Sequence, residues 1–204
     1  MTITETLDNL QSWFDEHICQ KVELKLPTDD QITGTATLVH PATFALYVPA
    51  KDRIPPNVAA PIPSLCIQLM DGEDKTTEHK RKLNIGLCLA VWNPGEQSGD
   101  TYFPIEDGDA LFDKRYKRGD SAPTYTRNLD GWRDVWNFVD MIIKTVESSN
   151  IIAGLRVVKE DGIKYGPFTE DGTIWDYYPY WHSWVSFTLE CGIVANVPEY
   201  TDLL

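Results

Sequence analysis

The segment YYPYWHSW at 177–184 places one histidine, His182, among five aromatic side chains. A histidine beside groups that exclude water often serves as a general acid or base near neutral pH. The sequence supplies no partner for it, because it contains no GxSxG elbow, no HExxH motif and no Cys–His arrangement with an orienting residue. Glu190 would share its face of a strand, but eight residues away it lies beyond hydrogen-bond reach. We therefore expect a structural or surface histidine in a protein that is not an enzyme, with a hydrolase around His182 as the lesser alternative.

Acidic residues cluster in two segments whose carboxylates could bind a metal ion. They are Glu106, Asp107, Asp109 and Asp113 in the first segment and Glu170, Asp171 and Asp176 in the second. Neither segment follows the ligand order of an EF-hand with its closing glutamate. The four cysteines, Cys19, Cys66, Cys88 and Cys191, show no CxxC pair and no zinc-type spacing, and we interpret them as buried thiols. Since the chain also lacks a glycine-rich phosphate loop, we expect neither a metal nor a cofactor.

The aromatic residues around this histidine could also form a stacking surface. The candidate set for sugar stacking is Trp175, Tyr177, Tyr178, Tyr180 and Trp181. Surfaces that stack single-stranded nucleic acid combine such rings with a basic groove, whereas no lysine or arginine occurs between 165 and 194. Nucleic-acid stacking is therefore disfavoured. A carbohydrate-binding module stays possible, and so does a protein interface, which uses the same amphipathic side chains as anchors.

Charge limits the partners further. The chain has 31 acidic and 18 basic residues, a formal net charge of −13, so duplex DNA would be repelled unless the basic residues lay on one face. Eight of the 18 lie in KTTEHKRK (75–82) and KRYKR (114–118), both of which we expect to be loops. The candidate subunit-interface residues are Lys80, Arg81, Lys82, Lys114, Arg115, Lys117 and Arg118. The alternative interpretation is that these loops are simply solvated.

The N-terminal third of the chain predicts a helix, short strands and an extended arm. Thr2 and Glu5 have capping-box spacing and apolar residues then recur at helical intervals, which predicts an amphipathic helix over 3–19. Short strands are predicted at 21–26, 33–39 and 43–48. Residues 49–63 contain five prolines, which leaves too few backbone donors for a central strand and predicts an extended arm. No stretch approaches the roughly 18 apolar residues of a membrane span, and no secretory signal precedes the helix, so we expect synthesis in the cytosol without membrane contact.

A strand pair and a second helix form the predicted core. SLCIQLM (64–70) and KLNIGLCLAVW (82–92) predict strands, and the polar link between them predicts the tip of a long projecting hairpin. One face of the second strand carries Leu83, Ile85, Leu87, Leu89 and Val91. Asp130 is the predicted N-cap of a helix whose apolar stripe packs on that face. The predicted stripe consists of Trp132, Val135, Trp136, Val139 and Ile142.

The remaining segments complete one predicted domain over 1–204. Residues 93–129 show no sustained period, and we expect a long loop insertion that something outside the monomer orders. Residues 152–162 predict a strand leading into a turn, and the alternation after Trp181 predicts a last strand with one core face. With 64–92 and 130–194 as the sheet–helix core, the sequence predicts an α+β fold in which two helices cover one face of a mainly antiparallel sheet.

Five blocks of the sequence resemble the neck and tail-completion proteins of tailed phages and prophages, in particular the tail terminators. The blocks are PSLCIQLMDGED, KLNIGLCLAVWNPG, DGWRDVWNFVDMI, GLRVVKEDGIKYGPF and YPYWHSWVSF. The resemblance implies an α+β fold with a small antiparallel sheet flanked by helices. It also implies a hexameric ring that caps the tail tube where the tube meets the head. The N-terminal strands, the proline-rich arm and the 93–129 insertion are additions to the smallest members of that group.

On this resemblance we expect a structural virion protein that is assembled in the host cytoplasm. Its partners would be further copies of itself, the tail tube protein and a neck or head-closure protein. The acidic balance suits a channel that passes DNA without binding it specifically, because each phosphate that Lys or Arg neutralises adds affinity. The alternatives are a neck adaptor or head-closure protein and, from another class, the carbohydrate-binding module.

Overall fold

The computed structural model describes residues 2–28, 37–94, 131–175 and 177–192. These residues have an α+β fold, which confirms the predicted class. Two α-helices, α1 (Ile3–His17) and α2 (Trp132–Ser148), pack against one face of a mainly antiparallel sheet.

The main sheet has three long strands that lie next to one another, with shorter strands on either side. The strands of the described residues are β1 (Leu24–Lys25), β2 (Leu38–Val39), β3 (Ala42–Ala45), β4 (Ser64–Lys75), β5 (Lys80–Trp92), β6 (Ile151–Ile152), β7 (Leu155–Val157), β8 (Lys164–Pro167), β9 (Thr169–Glu170), β10 (Thr173–Ile174) and β11 (Tyr180–Gly192). Their order in the main sheet is β3-β4-β5-β11-β7-β6, and β8 also pairs with β11. The pairs β1–β2 and β9–β10 form two small separate sheets. Within the main sheet β3 and β4 are parallel, whereas β4–β5 and β5–β11 are antiparallel.

Helix α1 begins with the capping box that the sequence predicts. The Thr2 hydroxyl accepts a hydrogen bond from the Glu5 backbone N–H (3.2 Å), and Glu5 Oε2 accepts one from the Thr2 N–H (2.7 Å). The buried face of the helix includes Leu7, Leu10 and Phe14. The helix ends at His17 instead of residue 19, and a 3₁₀ turn over Cys19–Lys21 follows it.

The short strands of the N-terminal third cover less of the chain than predicted. The predicted strand 21–26 is reduced to β1, and residues 33–36 of the next lie outside the described part of the chain. Strand β3 ends at Ala45 because Leu46 turns the chain with a φ of 69°, a left-handed conformation that stops an extended strand. The proline-rich arm then carries the chain back, so that Ser64 pairs in parallel beside Ala42. Parallel neighbours need such a crossover connection.

Helix α2 presents a narrower apolar stripe to the sheet than predicted. Val135, Val139 and Ile142 are buried, and Phe138, which the prediction omitted, is only 1% exposed. Trp132 was predicted to be core but is 39% exposed, and Trp136 is half-buried. Since each helical residue turns by about 100°, the buried positions centre on Val135 and Val139, and both tryptophans fall at the edge of the stripe. The predicted N-cap Asp130 lies outside the described residues, and Gly131 occupies the N-cap position.

The hydrophobic core lies between the two helices and the inner faces of β4, β5 and β11. All five residues of the predicted β5 face, Leu83, Ile85, Leu87, Leu89 and Val91, are buried. From β11 the core receives Val185, Phe187 and Leu189, and the ring of Phe187 lies 6.2 Å from that of Phe14 in α1. The opposite face of the same strands carries Ser64 and Cys66, which are also buried, and the half-buried Lys82, Asn84 and Ser186.

Candidate interaction surfaces

The long hairpin of β4 and β5 extends well beyond the core. Its strands pair as far as Lys75 and Lys80, and every residue from 71 to 80 is exposed. A β-bulge interrupts β4 between Leu69 and Asp71. The side chain of Met70, within the bulge, lies over Gly86, where an added Cβ would approach the Met70 sulfur to 2.9 Å. The predicted projecting hairpin is therefore confirmed, and its exposed part starts at this bulge.

Of the basic residues predicted at the hairpin tip, Lys80 forms the last pair before the turn, opposite Lys75, whereas Arg81 and Lys82 lie further along β5. Arg81 donates two hydrogen bonds to Asp74, from Nε to Oδ1 (2.6 Å) and from Nη2 to Oδ2 (2.7 Å). Lys82 Nζ lies 2.6 Å from Asp161 Oδ2, and the more exposed Lys80 lies 3.8 Å from Glu190. Hydrogen bonds from these cations lower the pKa of Asp74 and of Asp161. Within the described chain, all three cations therefore have acidic partners: Arg81 joins the two strands of the hairpin, and Lys80 and Lys82 tie β5 to β11 and to Asp161.

The second basic cluster belongs to the long insertion between β5 and α2. Lys114, Arg115, Lys117 and Arg118 lie outside the described residues, as do residues 95–130 in general. Their role at a subunit interface stays a prediction.

The two ends of the 95–130 segment meet at one buried asparagine. Asn93 Oδ1 accepts a hydrogen bond from Lys25 (2.9 Å), its Nδ2 donates to Asp134 Oδ2 (2.6 Å), and its carbonyl accepts one from the Trp181 indole (2.8 Å). A Cβ on Gly131 would overlap that same carbonyl oxygen, so only glycine fits there. Asn93 and Gly131, which flank the insertion in sequence, are therefore neighbours in the fold.

A polar cleft runs beside the hairpin on the outer face of the sheet. It has a volume of about 450 Å³ and includes Asp71, Glu73, Lys82, Asp161 and Lys164 in its lining. Lys82 and Asp161 form the ion pair described above, which already uses two of the charges. Among the described residues, no group of three or more His, Cys, Asp or Glu side chains is placed to hold a metal ion.

His182 lies on the outer face of β11, half-buried and beside Ala90 of β5. Its Nδ1 atom is buried and has no hydrogen-bond partner in the described structure. The ring of Tyr177 meets it edge to face at 6.1 Å. Burial lowers the pKa of His182 by disfavouring the charged imidazolium. The described surroundings therefore provide packing for this histidine and no orienting group for acid–base chemistry.

All four cysteines are free thiols, and burial raises the pKa of Cys19, Cys66 and Cys88. Cys66 on β4 lies directly opposite Cys88 on β5, and both are free thiols. Burial raises the pKa of Cys66 to about 11 and that of Cys19 to about 12, so neither is a thiolate near neutral pH. Cys88 and Cys191 are half-buried, so the expectation of four buried thiols holds fully for Cys19 and Cys66 only.

The aromatic residues that the sequence singled out form a chain of ring contacts. Phe168 stacks on Trp175 (centroids 5.6 Å apart, planes 23° apart), and Trp175 meets Tyr177 edge to face at 5.6 Å. With His182 at its end, we call this set the aromatic ladder. Trp175 and Tyr177 remain 40% and 54% exposed.

Two other rings of the predicted sugar-stacking set donate hydrogen bonds to backbone carbonyls. The Tyr178 hydroxyl donates to the Pro94 carbonyl (2.9 Å), and the Trp181 indole donates to Asn93. Tyr178 and Trp181 also meet edge to face, with planes 82° apart. Sugars stack on open, flat ring faces, whereas these rings present edges and faces alternately. The arrangement resembles the anchor residues of a protein interface more than a sugar platform.

One apolar segment is exposed where the sequence predicts a strand. Leu46, Tyr47 and Val48 are 54%, 71% and 40% exposed, although they fall within the strand predicted at 43–48. The signal that could have identified them is Pro49, since a strand that runs into a proline-rich arm loses its neighbours.

Comparison with known proteins gives no assignment. No protein-family model matches the chain, and no curated protein matches its sequence. In the described part of the chain, no helix is long and apolar enough to cross a membrane.

Proposed function

We propose that the protein is a structural component of a tailed-phage neck, a tail terminator or tail-completion protein that assembles as a ring at the head–tail junction. The observation that carries the proposal is the β4–β5 hairpin. Ten consecutive residues, 71–80, are exposed. The hairpin is nevertheless ordered, because β4 pairs with β5 as far as Lys75 and Lys80, and β5 pairs in turn with β11 as far as Lys80 and Gly192. Lys80 and Lys82 on β5 also form ion pairs with Glu190 and Asp161. A hairpin whose far half is ordered but exposed among the described residues suits a contact with a neighbouring subunit.

The blocks that resemble neck proteins support the proposal by their positions in the fold. They form β4, β5, α2, β7, β8 and β11, which are in contact with one another and make up most of the core. The net charge of −13 agrees with a ring through which DNA passes, because acidic walls do not bind phosphates. The proposal assigns no catalytic residue, metal or cofactor.

The test is the assembly state of the full-length chain. Light scattering coupled to size-exclusion chromatography should give a mass several times the 23.2 kDa of one chain, rising with concentration if assembly is weak. Negative-stain electron microscopy should then show rings with a central opening, and these rings should cap purified tail tubes from the same virion. A strict monomer that binds members of a glycan array would contradict the proposal and support the carbohydrate-binding module.

A further inference from the structure

We infer that two exposed patches, which lie towards opposite edges of the main sheet, form a contact between neighbouring copies of this chain. One patch of each copy binds the other patch of the next copy. The arm patch consists of Leu46, Tyr47, Val48, Lys51 and Arg53. The ladder patch consists of Glu170, Asp171, Ile174, Trp175 and Tyr177. The inference rests on the proposed ring and names the surfaces that would close it.

The arm patch exposes apolar side chains that the fold could have buried. Tyr47 is 71% exposed, and it follows directly after Leu46, whose left-handed φ of 69° turns the chain out of β3. Such a conformation costs free energy for a residue other than glycine and is retained where the surrounding structure or a function requires it. A 3₁₀ turn over Lys51–Arg53 then places two exposed cations, with the exposed Asp52 between them, just beyond the apolar residues.

The ladder patch is built on a tight hairpin. Strands β9 and β10 are joined by Asp171 and Gly172, both with positive φ (49° and 78°), as a two-residue turn requires. The turn presents the carboxylates of Glu170 and Asp171, and Ile174 beside them is 62% exposed. The aromatic ladder continues this apolar surface through Trp175 and Tyr177.

The two patches cannot meet within one subunit. The arm patch follows β3, at one edge of the sheet, and the ladder patch follows β8, beyond β11. Strands β4, β5 and β11 separate them, a width of about 19 Å at the usual strand spacing. Contact between two different surfaces of identical chains is head-to-tail, and such a contact closes into a ring when the rotation allows it.

The charges of the two patches are complementary. The arm patch carries Lys51 and Arg53 with the exposed Asp52 between them, a net charge of +1 (+2 − 1), whereas the ladder patch carries Glu170 and Asp171, a net charge of −2. No ion pair within the described residues involves any of these five side chains. In a chain of net charge −13, a local pairing of opposite charges would offset repulsion at the seam and fix its register.

The test uses two variants that each remove one patch. Tyr47→Glu places a carboxylate in the arm patch, and Ile174→Glu places one in the ladder patch. Both side chains are exposed, so both variants should fold with wild-type circular dichroism and melting temperature. Each alone should weaken self-association by about tenfold or more, as the loss of an interface anchor does. The matched control is Ile3→Glu, an exposed apolar position on α1 that should leave association unchanged.

Mixing the two variants decides whether the contact is head-to-tail. Each retains one intact patch, so an equimolar mixture should give a heterodimer and nothing larger. Variants that still form rings would overturn this inference and leave the proposed function standing. Monomeric variants whose mixture also stays monomeric would show that the two patches do not bind each other. A wild-type chain that never self-associates would overturn the proposed ring itself.

Discussion

His182 has the surroundings of a packing histidine. Its Nδ1 is buried without a hydrogen bond, and burial lowers its pKa from the ordinary value of 6.5. In the unfolded chain the ordinary pKa returns. As the pH falls through about 6.5, the unfolded state therefore binds a proton before the folded state does, and the stability of the fold decreases.

The His182→Gln variant should lose less stability than the wild type when the pH is lowered. The wild-type free energy of unfolding, measured by urea denaturation, should be lower at about pH 5.5 than at about pH 7.5, and part of this loss should disappear in the variant. Most carboxylates stay ionised over that range, so they contribute little to the difference. The exposed His79, replaced by asparagine to suit its φ of 51°, is the control and should show the wild-type loss. A variant with the full wild-type pH dependence would contradict the assignment.

The orientation of helix α2 on the sheet can be tested by substituting one buried and one exposed residue. Phe138 is 1% exposed in the core, whereas Trp132 is 39% exposed at the edge of the stripe. Phe138→Ala should cost ~3–5 kcal/mol of unfolding free energy, because it leaves a cavity between the helix and the sheet. Trp132→Ala should cost about 1 kcal/mol or less. Chemical denaturation of both variants is the measurement, and equal losses would show that the helix is rotated from the orientation described.

The elements differ in how well the sequence predicts them. The five apolar residues of β5 alternate without interruption, and all are buried, because period-two patterning leaves only one way to face a core. The sequence predicts less well which side of α2 faces the sheet. Trp132 and Trp136 match the helical spacing of the apolar residues, but they lie at the edge of the buried stripe. The arm patch could not be predicted, because it depends on the backbone turn at Leu46 and not on composition. The aromatic candidates were identified from sequence, but their edge-to-face arrangement required the fold.

Net charge acts on the molecule as a whole. Each copy carries a formal charge of −13, so copies in the proposed ring would repel one another over distances longer than any single contact. The proposed contact between patches acts at short range and is partly apolar. Salt should therefore screen the repulsion more than it weakens the contact, since exposed charges interact over about a Debye length.

Self-association should consequently strengthen when salt is raised from about 0.01 M to about 0.15 M, which shortens the Debye length from about 30 Å to about 8 Å. Sedimentation velocity over a concentration series at each salt measures this directly. A control variant, Asp140→Asn with Glu147→Gln, changes two exposed residues of α2 outside both patches and reduces the charge from −13 to −11 (−13 + 2). It should associate more tightly than wild type at low salt and equally at high salt. Association that weakens steadily with salt in both proteins would mean that ion pairs, and not apolar contact against a repulsive background, hold the ring together.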